Sequence, residues 1–92
     1  MRYINFKSLN EEKLSTETRN SLPDSEFGIP SLRKFPLNDR DHVLQSLRMY
    51  HHCPPGYEEE LARNIFKKMK QYGIPKEAVG ENNKLYKYIH LY

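Results

Sequence analysis

The sequence contains no tryptophan and a single cysteine, Cys53, so no disulfide within the chain can hold it together. It has no long apolar run either. Nothing approaches the roughly 20 consecutive apolar residues of a membrane span, and residues 1–7 (MRYINFK) lack the apolar core of a secretory signal. These absences point to a reducing compartment and away from insertion in a bilayer. The four glycines stand alone at 28, 56, 73 and 80, so no glycine-rich loop is available to cradle a phosphate and no nucleotide cofactor is expected. Nor does either charge sign dominate. Fifteen Lys and Arg against twelve Asp and Glu leave a net charge of +3, mild beside the clustered basic faces of dedicated nucleic-acid binders.

What remains is a chain of 92 residues, 37% hydrophobic and 29% charged, enough for one modest core. The clearest pattern is helical. Asn38 or Asp39 can cap a first helix running to about His52, with Val43, Leu44, Leu47 and Tyr50 at core spacing and Pro54, Pro55 and Gly56 as its stop. A second helix is predicted over about 57–72. Glu58, Glu59 and Glu60 in its first turn and Lys67, Lys68 and Lys70 near its end suit the helix dipole. Leu61, Ile65, Met69 and Tyr72 form its apolar stripe, widened by Ala62 and Phe66, and Gly73 reads as a left-handed cap beyond which Ile74 folds back on Met69.

Three prolines in residues 22–37 predict an extended arm whose apolar residues pack along the grooves of the two helices. Both ends of the chain are aromatic. Residues 3–6 alternate like a brief strand, and 85–92 fit a strand slightly better than a helix, although Leu85, Tyr88, Ile89 and Tyr92 also match helical spacing. The expected fold is therefore mainly α: a helical hairpin (about 39–52 and 57–72) wrapped by a proline-rich extended arm, with short strand-like termini. The corresponding organisation is an N-terminal arm over 1–21, a central module over 22–74 and a C-terminal arm over 75–92.

The residues that bear chemistry do not assemble into a motif. His51, His52 and Cys53 are the one cluster of soft ligands, and a zinc site would have to recruit the distant His42 and His90 without any finger-like spacing, so no metal is expected. Asp24, Ser25 and Glu26 with His42 lack the glycine-flanked serine of a nucleophile elbow, and a turn or cap explains them better. The chain thus reads as non-enzymatic, with no catalytic residues and no cofactor. Its seven tyrosines favour binding, because each combines apolar area with a polar tip. Tyr3, Phe6, Tyr86, Tyr88 and Tyr92 lie in terminal segments that a small core struggles to cover, and are the candidate partner-binding residues. A competing reading is a nucleic-acid face made by Arg63, Lys67, Lys68, Lys70 and Lys76, although lysines at a helix end are equally expected from the dipole.

The segments LPDSEFGIP (22–30), RKFPL (33–37), DHV (41–43), LARNI (61–65) and KQYGI (70–74) together resemble a small module found in tailed-bacteriophage proteins, in or after head-maturation (prohead) proteases. The resemblance covers 22–74 and no part of a protease. It implies a phage origin, location in the virion after a stay in the host cytoplasm, and capsid or other virion proteins as partners, with many copies in a symmetric assembly. An early phage protein that modulates a host enzyme or polymerase is the alternative.

Overall fold

The structure, a computed structural model, describes residues 20–92. It is mainly helical with a small two-stranded sheet. Among the described residues no helix is long and apolar enough to cross a membrane. The order is a 3-10 turn (Asp24–Glu26), β1 (Phe27–Ile29), a second 3-10 turn (Pro30–Leu32), β2 (Lys34–Pro36), α1 (Arg40–Met49), a 3-10 turn (Tyr50–His52) and α2 (Glu58–Gln71). A short 3-10 turn (Lys76–Ala78) and a 3-10 helix (Lys84–Leu91) follow.

The expectation of an extended arm over residues 22–37 needs correction, because the chain reverses there. Pro30 opens a 3-10 turn with its preset φ, and Arg33 closes it in the left-handed region (φ 51°). β1 and β2 then pair antiparallel, Phe27 opposite Pro36 and Ile29 opposite Lys34. Phe27, Gly28 and Ile29 are all buried, while Lys34 on β2 is exposed. Gly28 is required by packing. A β-carbon built on it would run into Leu61 Cδ1 and lie 3.2 Å from Cβ of Phe35, which itself holds a left-handed φ of 61°. The Gly28 carbonyl accepts a 2.8 Å hydrogen bond from Asn64 Nδ2 of α2, so the strand is both pressed and tied against that helix.

The two α-helices form where capping and periodicity place them. Asp39 caps α1, its Oδ1 accepting from the His42 amide at 2.8 Å. α2 ends in a Schellman arrangement: the Ile74 amide donates to the Met69 carbonyl at 2.8 Å and the Gly73 amide to that of Lys70, with Gly73 at φ 72°. Val43 and Leu47 from α1 and Leu61, Ile65, Phe66 and Met69 from α2 are fully or nearly fully buried. Three polar side chains, His42, Ser46 and Lys68, enter that interior among the described residues. Lys68 sends its Nζ to Glu26 Oε1 at 3.2 Å, and His42 sets its Nδ1 2.8 Å from Asp39 Oδ1.

The expected strand over 85–92 is absent; the segment is a 3-10 helix kinked at Tyr88. Its helical spacing wins because Asn83 caps it. Asn83 Oδ1 accepts from the Leu85 amide and its Nδ2 donates to the Leu47 carbonyl, both at 2.8 Å. Leu85 is fully buried in the core, and the Tyr92 hydroxyl donates to the Ile74 carbonyl at 2.7 Å. The strand expected over residues 3–6 lies outside the described residues.

Leu85→Ala should therefore lower the unfolding free energy by about 2–4 kcal/mol through the cavity it leaves, and Tyr86→Ala beside it by about 0.5 kcal/mol or less, as for an exposed position. Urea denaturation followed by circular dichroism checks this. Equal losses at the two positions would contradict the packing described.

Candidate partner-binding face

Closure of the C-terminal helix over the end of α1 and the start of α2 creates two neighbouring grooves. The larger, about 640 Å³, lies between the Tyr50–His52 turn and the C-terminal helix and is lined by Tyr50, Tyr86 and Tyr88 among others. The second, about 460 Å³, lies between that helix and the Lys76–Ala78 turn, with Val79 and Ile89 in its wall. Tyr86 and Glu81 line both. Tyr86 is thus a ridge between two hollows, and at 38% exposure it is one of three large apolar side chains open to solvent among the described residues, with Leu32 and Met49.

The floor of the larger groove is rigid for local reasons. The Tyr50 ring is buried and its hydroxyl donates to the Glu58 carbonyl at 2.6 Å, satisfying a polar atom that would otherwise be lost from water. Burial pushes the Tyr50 phenol well above its ordinary value, and the negative charges that Cys53, Tyr88 and Glu58 can carry push it further. Cys53 is held as a thiol in the same way: burial raises it first, then the charges of Glu58 and Glu60. Its Sγ donates to the Pro54 carbonyl at 3.4 Å. The rim is charged and of mixed sign, with Glu58, Glu77 and Glu81 against Lys76, Lys84 and Lys87 across the two grooves.

Of the five aromatic candidates, the structure brings Tyr86 and Tyr88 to this face. Tyr92 is turned into the fold instead, its ring edge-on to Phe66 at 5.9 Å between centroids and its hydroxyl engaged by Ile74. Tyr3 and Phe6 lie outside the described residues. Tyr50 belongs to the same face but reads in the sequence only as a member of the α1 core stripe. Lys84 and Lys87 carry no local signal, and Asn83 carries only that of a helix cap, because the face exists only once the tail has folded back.

The basic candidates are divided. Arg63, Lys67 and Lys70 are exposed on α2 at helical spacing, Arg63 paired with Glu59 and Lys70 with its Nζ 5.2 Å from the Tyr92 ring centre. Lys68 is buried on Glu26 and cannot reach a phosphate without breaking that pair, while Lys76 stands at the second groove.

The histidines are also separated. His51 and His52 are exposed with ring centroids 4.1 Å apart, His90 lines the second groove and His42 is buried on α1. Among the described residues no group of three or more His, Cys, Asp or Glu lies where it could hold a metal ion. Asp24 is engaged by Arg33, Glu26 by Lys68 and His42 by Asp39. Burial pushes the Asp39 carboxyl up, but the hydrogen bonds and charge of His42 outweigh it and hold Asp39 below its usual value. The buried His42 Nε2 and Asn38 Oδ1 have no hydrogen-bond partner among the described residues.

No protein-family model, curated protein or solved structure matches the chain.

Tyr50 gives the face a pH signature. Its phenol in the folded chain lies above the ordinary 10.0, so its stabilising contribution is complete below that pH. Above it the unfolded chain releases the proton while the folded chain retains it, and stability falls as pH rises. Tyr50→Phe should cost about 1 kcal/mol at neutral pH through the lost hydrogen bond. The difference between wild type and variant should then shrink in urea titrations above pH 10; a constant difference would contradict the burial of this hydroxyl.

Proposed function

We propose that this chain is a non-enzymatic accessory protein of a phage particle that binds a neighbouring subunit through the Tyr86 ridge and its flanking grooves. The observation that carries the binding face is the convergence of Tyr50, Tyr86 and Tyr88 on one groove, with Tyr86 exposed, Tyr88 half-buried and Tyr50 anchored by its hydroxyl. Tyrosine is suited to such a place because its ring adds contact area at little entropic cost and its hydroxyl tolerates water.

The phage setting rests on the resemblance of 22–74 to the phage module alone, and the burial of its motif residues says what they do in the fold. Phe27, Ile29, Leu37, Leu61, Ile65 and Ile74 are all core residues, and Gly28 and Asn64 make the contact that docks β1 on α2. The shared residues therefore specify a scaffold, a pair of helices packed with the folded 22–37 segment, and leave the binding surface to other positions.

Purified particles should contain the protein by mass spectrometry, and Tyr86→Ala, expressed at wild-type level, should be depleted from them. A wild-type protein found in infected-cell lysate and absent from particles would overturn the virion reading; one stoichiometric host partner in its place would support the modulator reading.

A nucleic-acid reading keeps one specific support, the exposed stripe of Arg63, Lys67 and Lys70. If that stripe binds phosphates, neutralising Lys67 and Lys70 should weaken binding and flatten its salt dependence without altering stability. Lys68→Ala should instead lower stability by about 1–3 kcal/mol, since it strands Glu26. Binding absent at low salt removes this reading.

A further inference from the structure

We infer that residues 83–92 form a strap that opens and closes as a unit of its own while the helical body beneath it stays folded. Its construction differs from that of the α-helices. α2 buries six of its fourteen residues, whereas the eight-residue C-terminal helix buries Leu85 alone, with Tyr88, Ile89 and Leu91 half-buried against the core. That helix is of the 3-10 type, whose hydrogen bonds are less well aligned and which rarely runs beyond three or four residues. The non-helical Tyr88 (φ -106°, ψ 17°) divides it into two short pieces.

Its attachments are made by side chains. Among the described residues no ion pair joins it to the body, and Lys84, Lys87 and His90 are exposed. Its backbone bonds stay local, from Asn83 to Gly80, Tyr86 to Asn83 and Tyr92 to Ile89. The body is held by Asn83 on the Leu47 carbonyl, by Leu85 in the core and by Tyr92, which bonds the Ile74 carbonyl and packs on Phe66. Val79 is still buried, but Gly80, Glu81 and Asn82 after it are exposed, so these three residues are free to absorb the change in backbone angles as a hinge. Segments with few buried apolar groups and local, solvent-facing backbone bonds open at lower free energy than the core. Opening dismantles the candidate face, because the strap supplies Tyr86 and Tyr88 opposite Tyr50 in one groove and Ile89 opposite Val79 in the other. On the reading of that face as the binding surface, a bound subunit holds the strap shut, since it binds the closed form alone. The opening itself does not depend on that reading.

The test is native-state hydrogen exchange of the full chain, read residue by residue by NMR. Amides of the strap should show protection factors about tenfold or more below those of the α2 core. Urea below the unfolding transition should speed exchange in α2 far more steeply than in the strap, because strap opening exposes little surface. Asn64→Ala, which loosens β1 from α2, should speed exchange in α2 and leave the strap unchanged, since the closed and the opened forms lose that bond alike. Equal protection with a common urea slope in the wild type overturns the inference, as does equal acceleration of both elements in Asn64→Ala. Independent opening with Tyr86→Ala fully retained in particles leaves the strap standing and removes the face. Joint opening with that variant depleted from particles overturns the strap alone.

Discussion

The fold depends on the backbone of Gly28 lying directly against Leu61 of α2. A strand approaches a helix this closely where it has no side chain in the way, and a β-carbon at this position would press on the end of the Leu61 side chain and on Phe35. Once there, its carbonyl is bonded by Asn64 rather than left dry. One helical turn further along α2 from Asn64, Lys68 meets Glu26 at the foot of β1, so the same face of α2 fixes the small sheet by a steric, a hydrogen-bonding and an electrostatic contact in sequence. β2 is then carried along by its pairing with β1, and Leu37 beyond it is delivered to the core. This is why a segment with three prolines, poorly suited to regular structure, is nonetheless well placed.

At the other end of the molecule the decisive group is Asn83. Its amide bonds the Leu47 carbonyl and its oxygen caps the C-terminal helix, so one side chain ties the tail to the end of α1 and starts the element that follows. Leu85 then fills the core and Tyr92 closes over Phe66 and Ile74. What the tail leaves outside is Tyr86, and the two grooves beside it are the gaps between the returning helix and the turns it crosses. The candidate site is thus a by-product of closure. It combines the buried Tyr50 with the half-buried Tyr88, the exposed Tyr86 and charges of both signs.

The aromatic excess legible in the sequence leads to this face only in part. Tyr86 and Tyr88 are there, but Tyr92, identical in type and four residues from Tyr88, is consumed by the fold. Periodicity cannot separate them, since Leu85, Tyr88, Ile89 and Tyr92 fit helical spacing while the aromatic content favours a strand. The choice is made by the cap at Asn83 and by the cavity waiting for Leu85. Lys68 teaches the same lesson with charge. Its place beside Lys67 and Lys70 suggests a solvated basic end, yet Glu26, 42 residues earlier, takes it inside.

The sequence by itself determined the features whose causes are local. Both α-helices, a cap at Asn38 or Asp39, the Gly73 and Ile74 terminus and the apolar stripes follow from interactions spanning one or two turns, which a linear reading can count. Tertiary structure alone decided that residues 22–37 turn back into paired strands, that the tail becomes a 3-10 helix, and which tyrosines and lysines remain outside. Those outcomes rest on contacts between residues dozens of positions apart, such as Gly28 with Leu61, Glu26 with Lys68 and Leu47 with Asn83. No pattern along the chain encodes them until the core has formed.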